Sequence, residues 1–231
     1  PLPDMGTSEH AYGELMKALY RREKTGEGSC IHLSMFESSV SWLTVPITLY
    51  ASFGKAMTRR GNTHPFFCPV SVFETQDGYI YLAVGNDRQW RDLVSQEMFQ
   101  SLNKLEYEKN EGRIRDVASL NRGINEVTRK HTSGEMVSHL NAINLPVSII
   151  NTVPELVSDP LVERCLLFSQ DQATGTRITL APPPRMTSFL KASDRHLSFP
   201  PRLGEHNGEI YGRRLGYASE DLARFKEAGV I

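Results

Sequence analysis

The clearest alternation of apolar and polar residues lies between positions 70 and 98. An apolar run over 70–73, an Asp77-Gly78 turn and an alternating run over 79–84 predict a β-hairpin. Apolar residues then recur at helical spacing, which predicts a helix over 87–98. A strand is therefore expected to lead directly into a helix.

Gly85 and Asn86 lie at this switch from strand to helix. Glycine lets another group approach the backbone closely, and Asn86 or Asp87 can cap the new helix. Free N–H groups at such a turn suit an anion or a developing oxyanion. Because similar turns are common in proteins without any such site, the local pattern leaves a purely structural interpretation open.

A second apolar stripe predicts a helix near the start of the sequence, with members at i, i+3, i+4, i+7 and i+8: Tyr12, Leu15, Met16, Leu19 and Tyr20. Thr7 or Ser8 can cap this helix, and Gly26 can end it. A strand over Cys30–Ser34 and a helix over 35–50 are predicted to follow. This alternation of helix and strand favours a layered α/β fold.

The segment 52–69 is basic and aperiodic, and we interpret it as a linker. A unit over 70–165 is predicted to follow, with helices and one strand after the hairpin: helices 117–130, 133–143 and 153–158, and strand 146–150. Two capping-box pairs mark helix starts, namely Thr132 with Glu135 and Thr152 with Glu155.

The last third of the sequence predicts a second hairpin-like segment over 166–170 and 176–180, turning at Thr174-Gly175. The prolines that bracket residues 182–201 predict irregular or extended chain there. Two short helices are predicted to close the sequence, over 207–215 and 219–228.

Composition narrows the classes of function. The 231 residues carry a formal net charge of −1, which argues against a nucleic-acid or anionic-membrane partner. The apolar stretches are too short to cross a bilayer, and no secretory leader is apparent. The three cysteines are odd in number and lack metal-ligand spacing, so we predict no metal site. We expect a cytoplasmic protein, with mitochondria or peroxisomes left open.

Several sequence motifs, taken in order, carry a family resemblance. They are REKTGEG, GNTHP, VFETQDGYIYLAVGNDRQW, INLPVSIINTVPELVSDPLV, TGTRITLAPPP and a C-terminal PPRLGEHNGEI. Together they resemble the family III CoA-transferases, the group that includes formyl-CoA and succinyl-CoA:carboxylate CoA-transferases. The resemblance extends over essentially all of the sequence and is more specific than any one motif.

The resemblance implies a Rossmann-like large domain interrupted by a smaller α+β domain, in chains that interlock as dimers. On this basis residues 1–51 belong to the large domain, 52–69 are a linker, and 70–165 form the small domain. Residues 166–200 return as an extended linker, and 201–231 rejoin the large domain. The first part of the large domain is not visible in this sequence, so we expect an interlocked homodimer or a complementing N-terminal half.

Asp4 is the catalytic residue that the resemblance implies. Counting back from Arg22–Gly26 along the predicted helix, Asp4 falls where the family carries its nucleophilic aspartate, just before that helix. The implied reaction transfers CoA from an acyl-CoA to a carboxylic acid through an aspartyl anhydride and an enzyme–CoA thioester. CoA is then a substrate, and no permanently bound cofactor is expected. On local pattern alone, Asp4 is a capping or turn residue.

Four residues are candidates for substrate binding. Gly85 and Asn86 stand where relatives carry a glycine-containing loop over the aspartate, and Gln89 is placed to orient a substrate carboxylate. His64 belongs to the GNTHP motif, although a histidine before a proline is more often a packing residue than a catalyst. Arg59 and Arg60 suit carboxylates or phosphates, or are simply solvated.

Two other functions stay open on the sequence. An α-methylacyl-CoA racemase of the same fold would use the aspartate at position 4 as an acid–base group to exchange an α-proton. An inactive truncated family member would keep the aspartate but lack most of the CoA site. The GNDRQW sequence after Val84 favours the transferase over the racemase.

Overall fold

A computed structural model describes residues 1–231, which fall into two units, Pro1–Ile150 and Asn151–Ile231. No helix is both long and apolar enough to cross a bilayer. This division does not test the five-part domain map predicted from the sequence, which stays a prediction.

The first unit begins with three helices, α1 (Leu2–Thr25), α2 (Met35–Ser41) and α3 (Thr44–Phe53). Helix α1 ends, as predicted, at Gly26, whose φ of 75° lies in the left-handed region that glycine tolerates. It starts earlier than predicted. Thr7 and Ser8 do not cap it, because their hydroxyls donate to the carbonyls of Pro3 and Asp4 one turn back.

Two predictions about residues 30–50 were wrong. Cys30–Ser34 is not a strand, because no other segment of the structure forms with it the backbone hydrogen bonds that a strand requires. The single helix over 35–50 is two helices broken at Trp42 and Leu43. Pro46 explains the break, since it lacks an N–H and its ring would clash with the carbonyl of Trp42 in a continuous helix. The layered α/β arrangement is therefore not observed in residues 1–53.

The predicted hairpin is confirmed. Strands β1 (Val70–Glu74) and β2 (Tyr79–Ala83) pair antiparallel, and β3 (Val147–Ile149) pairs antiparallel with β2. Within β2, Ile80 and Leu82 are fully buried, while Tyr79 and Tyr81, which alternate with them, are exposed. The Asp77 carboxylate accepts from the N–H of Ser133 at 2.7 Å, which links the hairpin turn to the start of the helix that begins at Ser133.

Four helices belong to the same unit: α4 (Asp87–Val94), α5 (Asn110–Arg115), α6 (Val117–Thr128) and α7 (Ser133–Ala142). Helix α6 packs on β1, and α7 packs on β2 and β3. Two 3₁₀ helices, Glu97–Leu102 and Leu105–Tyr107, connect α4 to α5. Helix α4 ends before the predicted residue 98, since Ser95 and Gln96 side chains donate to the carbonyl of Asp92 and satisfy its last turn. The core is shared among these elements and includes Phe73, Ile80, Leu82, Trp90, Leu93, Phe99, Leu120, Ile124, Met136 and Leu140.

The second unit contains α8 (Val153–Val157), α9 (Pro160–Glu163), α10 (Ser188–Ala192) and α11 (Ser219–Glu227), with a π-helix over Gly208–Arg214. Its sheet has the order β5 (Arg177–Leu180), β4 (Leu167–Gln170), β6 (His196–Leu197).

The predicted hairpin of the second unit is confirmed as the antiparallel pair β4–β5. The stretch predicted to be irregular before Pro200 instead holds α10 and β6. Thr187 caps α10 by accepting from Leu190, and β6 lies parallel to β4. Both predicted capping boxes, at Thr132 and Thr152, are also confirmed.

Candidate functional site

The turn between β2 and α4 is closed by two side chains. The Oδ1 atom of Asn86 accepts from the N–H of Gln89 at 2.9 Å, which confirms Asn86 as the N-cap of α4. In the opposite direction, the N–H of Gly85 donates to Oε1 of Gln89 at 2.8 Å. The N–H that the sequence predicted to be free therefore has an internal acceptor, which an incoming anion would have to replace.

Gly85 is open to its surroundings. A Cβ atom added there would meet only Oε1 of Gln89, at 3.5 Å, an ordinary van der Waals distance. A cavity of about 340 Å³ lies beside the turn, lined by Asn86, Arg88, Gln89, Asp92, Ile143 and Asn144. Its size is within the range that small-molecule sites occupy.

Asp87 is the first residue of α4 and pairs with two basic side chains. Its Oδ1 accepts from Nη2 of Arg113 at 2.8 Å, and Nζ of Lys109 lies 3.8 Å from Oδ2. The hydrogen bond from Arg113 is the main cause that lowers the pKa of Asp87, with a smaller opposing effect of burial. The sequence analysis gave Asp87 only a possible capping role and missed this pair.

His64 organises the segment before β1. Its Nδ1 accepts from the N–H groups of Phe66 and Phe67, at 3.1 and 3.2 Å, and its ring stacks on Phe67 with centroids 5.1 Å apart. The backbone N–H of His64 donates to the carbonyl of Val70 at 3.0 Å. These contacts give His64 the packing role that the sequence left open, with Nε2 not engaged in them.

Helix α5 joins the segment of His64 to the turn of Gly85. Asn110 accepts from the N–H of Cys68 at 3.1 Å and donates to the carbonyl of Phe66 at 2.8 Å. Arg113 donates from Nε to the carbonyl of Cys68 at 2.7 Å and from Nη2 to Asp87. Sequence reasoning missed both residues, because a polar NEGR run resembles a solvated helix face.

Asp4 is separate from these residues. It lies in the first turn of α1, inside the helix rather than before it, and is exposed. No hydrogen bond or ion pair engages its carboxylate, and it does not line the cavity beside Asn86. Two residues further on, Gly6 is buried under Trp42, so a methyl group added at Gly6 would overlap the indole ring.

Another cavity of the first unit, of about 830 Å³, lies between α1, residues 29–34 and α2. Its lining includes His10, Lys17, Arg21, Cys30 and His32, and Sγ of Cys30 lies 3.3 Å from Nε2 of His32. Nowhere in the structure do three or more His, Cys, Asp or Glu side chains converge on a possible metal position.

Comparisons with known proteins give one consistent family. The model of "CoA-transferase family III" matches residues 1–207. The human "Succinyl-CoA:glutarate CoA-transferase" is 25% identical over 232 residues, covering 100% of this chain and 52% of its own length. The "Succinyl-CoA:mesaconate CoA-transferase" of Haloarcula hispanica is 29% identical, covering 85% of this chain and 49% of its own.

Among solved structures, a CAIB/BAIF family protein from Brucella suis superposes with a TM-score of 0.71 at 26% identity. The match covers 92% of this chain and 55% of that protein. The chain thus spans about half the length of the curated relatives it matches.

Proposed function

Because the chain belongs to CoA-transferase family III, we propose that the protein transfers CoA from an acyl-CoA thioester to a free carboxylic acid. The family match over residues 1–207 carries this proposal. The relatives described above are themselves named as CoA-transferases, which supports the transferase over a racemase. Since the chain spans about half of their length, the activity is proposed for the complete fold.

In the proposed reaction, Asp4 is the nucleophile. A carboxylate oxygen of Asp4 attacks the thioester carbonyl carbon, the C–S bond breaks, and CoA leaves as a thiolate. The thiolate attacks the Asp4 carbonyl of the resulting anhydride, releases the first acid as its carboxylate and leaves an enzyme–CoA thioester. The acceptor carboxylate then takes the reverse route. The family match, which includes position 4, supports this role, and the exposed carboxylate of Asp4 is accessible to a substrate.

Gly85, Asn86, Gln89 and His64 are the proposed substrate-binding residues. The N–H of Gly85 would donate to the oxyanion once the Gln89 side chain turns away, and the Gln89 amide would then donate to a substrate carboxylate. Asn86 lines the cavity beside the turn, where a substrate would lie, while its Oδ1 keeps α4 capped. His64 shapes the neighbouring segment through Nδ1 and leaves Nε2 to face a ligand. This arrangement requires the complete protein to bring Asp4 and the Gly85 turn to one substrate.

The proposed partners follow from the same chemistry. They are an acyl-CoA and a carboxylic acid, with CoA as substrate rather than resident cofactor, and we propose a cytoplasmic location. A Rossmann-like large domain completed by an N-terminal half, or an interlocked homodimer, is also proposed. The support is apolar surface on α1 and α3 that nothing in the chain covers: Tyr12, Leu15, Met16, Val45, Ile47, Tyr50 and Phe53 are exposed.

The test uses the complete protein, mixed with an acyl-CoA and trapped with hydroxylamine. A hydroxamate at position 4, detected by intact-mass and peptide mass spectrometry, is expected in the wild type and absent from Asp4→Asn. Glu9→Gln is the matched control, because Glu9 is another exposed carboxylate of α1. Full transfer by Asp4→Asn would overturn the assignment, and α-proton exchange without an adduct would assign the site to a racemase.

A further inference from the structure

Arg113 is completely buried, and its donors are used on several separate segments. Its Nε and Nη2 donate to Cys68 and Asp87, as described above. Its Nη1 donates to the carbonyls of Tyr107 and Glu108, at 2.8 and 3.1 Å. The guanidinium also lies over the ring of Trp90, 5.2 Å from its centroid. A buried arginine is costly unless it is paired and hydrogen-bonded, so this set of contacts is a built feature of the fold.

The carboxylate that pairs with Arg113 belongs to the turn described above. Asp87 directly follows Asn86, and its side chain is 31% exposed while that of Arg113 is 0% exposed. Three residues before Arg113, Asn110 holds both the carbonyl of Phe66 and the N–H of Cys68. One turn of α5 therefore sets the position of two segments that are far apart in sequence and carry the proposed substrate-binding residues.

We propose that Arg113 is the positioning residue of the acyl-CoA site, and that it fixes the Gly85–Asn86 turn against the His64 segment through Asp87 and the carbonyl of Cys68. The inference rests on the proposed function and extends it to a residue that touches no substrate. Lysine cannot replace arginine here, because one ammonium group cannot reach the Asp87 carboxylate and the carbonyls on the other side at once.

The first measurement is amide hydrogen exchange of peptides covering residues 84–90, followed on the chain itself. Arg113→Lys is expected to raise exchange of this turn by about tenfold, because the turn loses its tether. Asp87→Ala removes both the acceptor and the charge that pair with Arg113, so it should raise exchange of the turn at least as much. Asp87→Asn keeps an acceptor for Nη2 but loses the charge, so its exchange should lie between those of the wild type and Asp87→Ala.

Arg129→Lys is the matched control. Arg129 makes an even closer pair with Glu74, with Nη2 2.6 Å from Oε2, but this pair lies on the surface and involves no residue of the turn. It should leave exchange at 84–90 unchanged. Unchanged exchange in folded Arg113→Lys and in Asp87→Ala, or an equal rise in Arg129→Lys, would overturn the proposal.

The second measurement is CoA transfer by the complete protein. Misplacing a donor by about 1 Å can cost about 100-fold in rate, so we expect kcat to fall by about that factor in Arg113→Lys while the KM for acyl-CoA changes little. Recovery in Asp87→Asn relative to Asp87→Ala separates positioning from a general loss of stability. If the wild type transfers no CoA, the proposed function fails, and the exchange result still decides whether Arg113 holds the turn.

Discussion

Gly85 and Gln89 are joined by a hydrogen bond of 2.8 Å from the backbone N–H of the first to the side-chain Oε1 of the second. A second bond, from the N–H of Gln89 to the Asn86 side chain, also spans the start of α4. Residues 85 and 86 are thus both joined to Gln89. The N–H of Gln89 is one of the groups that a helix start leaves unsatisfied, and the N–H of Gly85 belongs to the residue before the cap. The N–H of Gly85 is therefore open to another acceptor only when the Gln89 side chain moves away.

The first prediction concerns the charge at position 89. Gln89→Glu keeps an acceptor for Gly85 and suits the positive end of a helix, so thermal stability should be unchanged or slightly raised. The added charge would repel a substrate carboxylate, and the KM for the acceptor acid should rise by about tenfold or more. Thermal unfolding and steady-state kinetics of the complete protein check the two parts.

Gln89→Ala is the control for this prediction. It removes the acceptor and should lower the free energy of unfolding by about 0.5–1.5 kcal/mol. An unchanged KM in Gln89→Glu would exclude Gln89 from carboxylate binding.

The second prediction concerns the contact of Gly6 with Trp42. Gly6→Ala forces the indole to move and should destabilise the first unit by about 1–2 kcal/mol. Gly13→Ala lies in the same helix with open space around it, so it should stabilise by about 0.5–1 kcal/mol. Chemical denaturation of both variants measures the difference.

A double-mutant cycle identifies the cause. In a Trp42→Ala background, where the ring is absent, Gly6→Ala should lose its penalty. If the penalty persists there, the contact of α1 with Trp42 is not its source.

The third prediction orders the three cysteines by reactivity. Burial raises the pKa of the Cys68 thiol to about 11, so very little thiolate is present at pH 8. Cys30 is exposed and Cys165 is half-buried. Alkylation by iodoacetamide, followed by peptide mass spectrometry, should modify Cys30 first, Cys165 next and Cys68 last. The order should vanish in guanidinium, and early labelling of Cys68 would contradict the burial of its segment.

The fourth prediction concerns the hairpin of the second unit in acid. The Thr174 hydroxyl, the N–H of Ala173 and Arg202 hydrogen-bond to the Asp171 carboxylate and lower its pKa from 3.8 to about 2. Because the folded pKa is depressed, this stabilisation is present above pH 3.8 and lost as the pH falls through about 2. A carbon-detected NMR titration of the Asp171 carboxyl group should show a midpoint near the lower value.

Asp171→Asn should remove that part of the pH dependence of thermal unfolding between pH 4 and 2. Asp194→Asn, at a carboxylate whose side chain is 84% exposed, should leave it in place. A titration midpoint at the ordinary aspartate value would show that the hairpin contacts do not form in solution.

Local signals in the sequence were enough for the elements whose contacts are local. The β1–β2 hairpin, the Asn86 cap, both capping boxes and the Gly26 end of α1 each depend on residues within a few positions of one another. The break before Pro46 was missed, although the clash of a proline ring with the preceding turn is also a local effect. The family resemblance, carried by motifs along the whole sequence, is borne out by the match over residues 1–207.

Other features depended on contacts between distant segments. Cys30–Ser34 has the residues of a strand but lacks a neighbour to pair with, so alternation alone could not decide its conformation. His196–Leu197 forms β6 because β4 lies beside it, although its own sequence predicted irregular chain.

What the sequence by itself determined about this protein is its family and the elements formed by neighbouring residues, while Asp4 as nucleophile stays a prediction. Only the tertiary structure decided which side chains connect those elements to one another. Arg113 reads as a solvated charge in sequence, yet it is fully buried and binds Cys68 and Asp87, 45 and 26 residues away. The physical reason is that burial and long-range hydrogen bonding depend on which segments pack together, and that information lies in no window of the sequence.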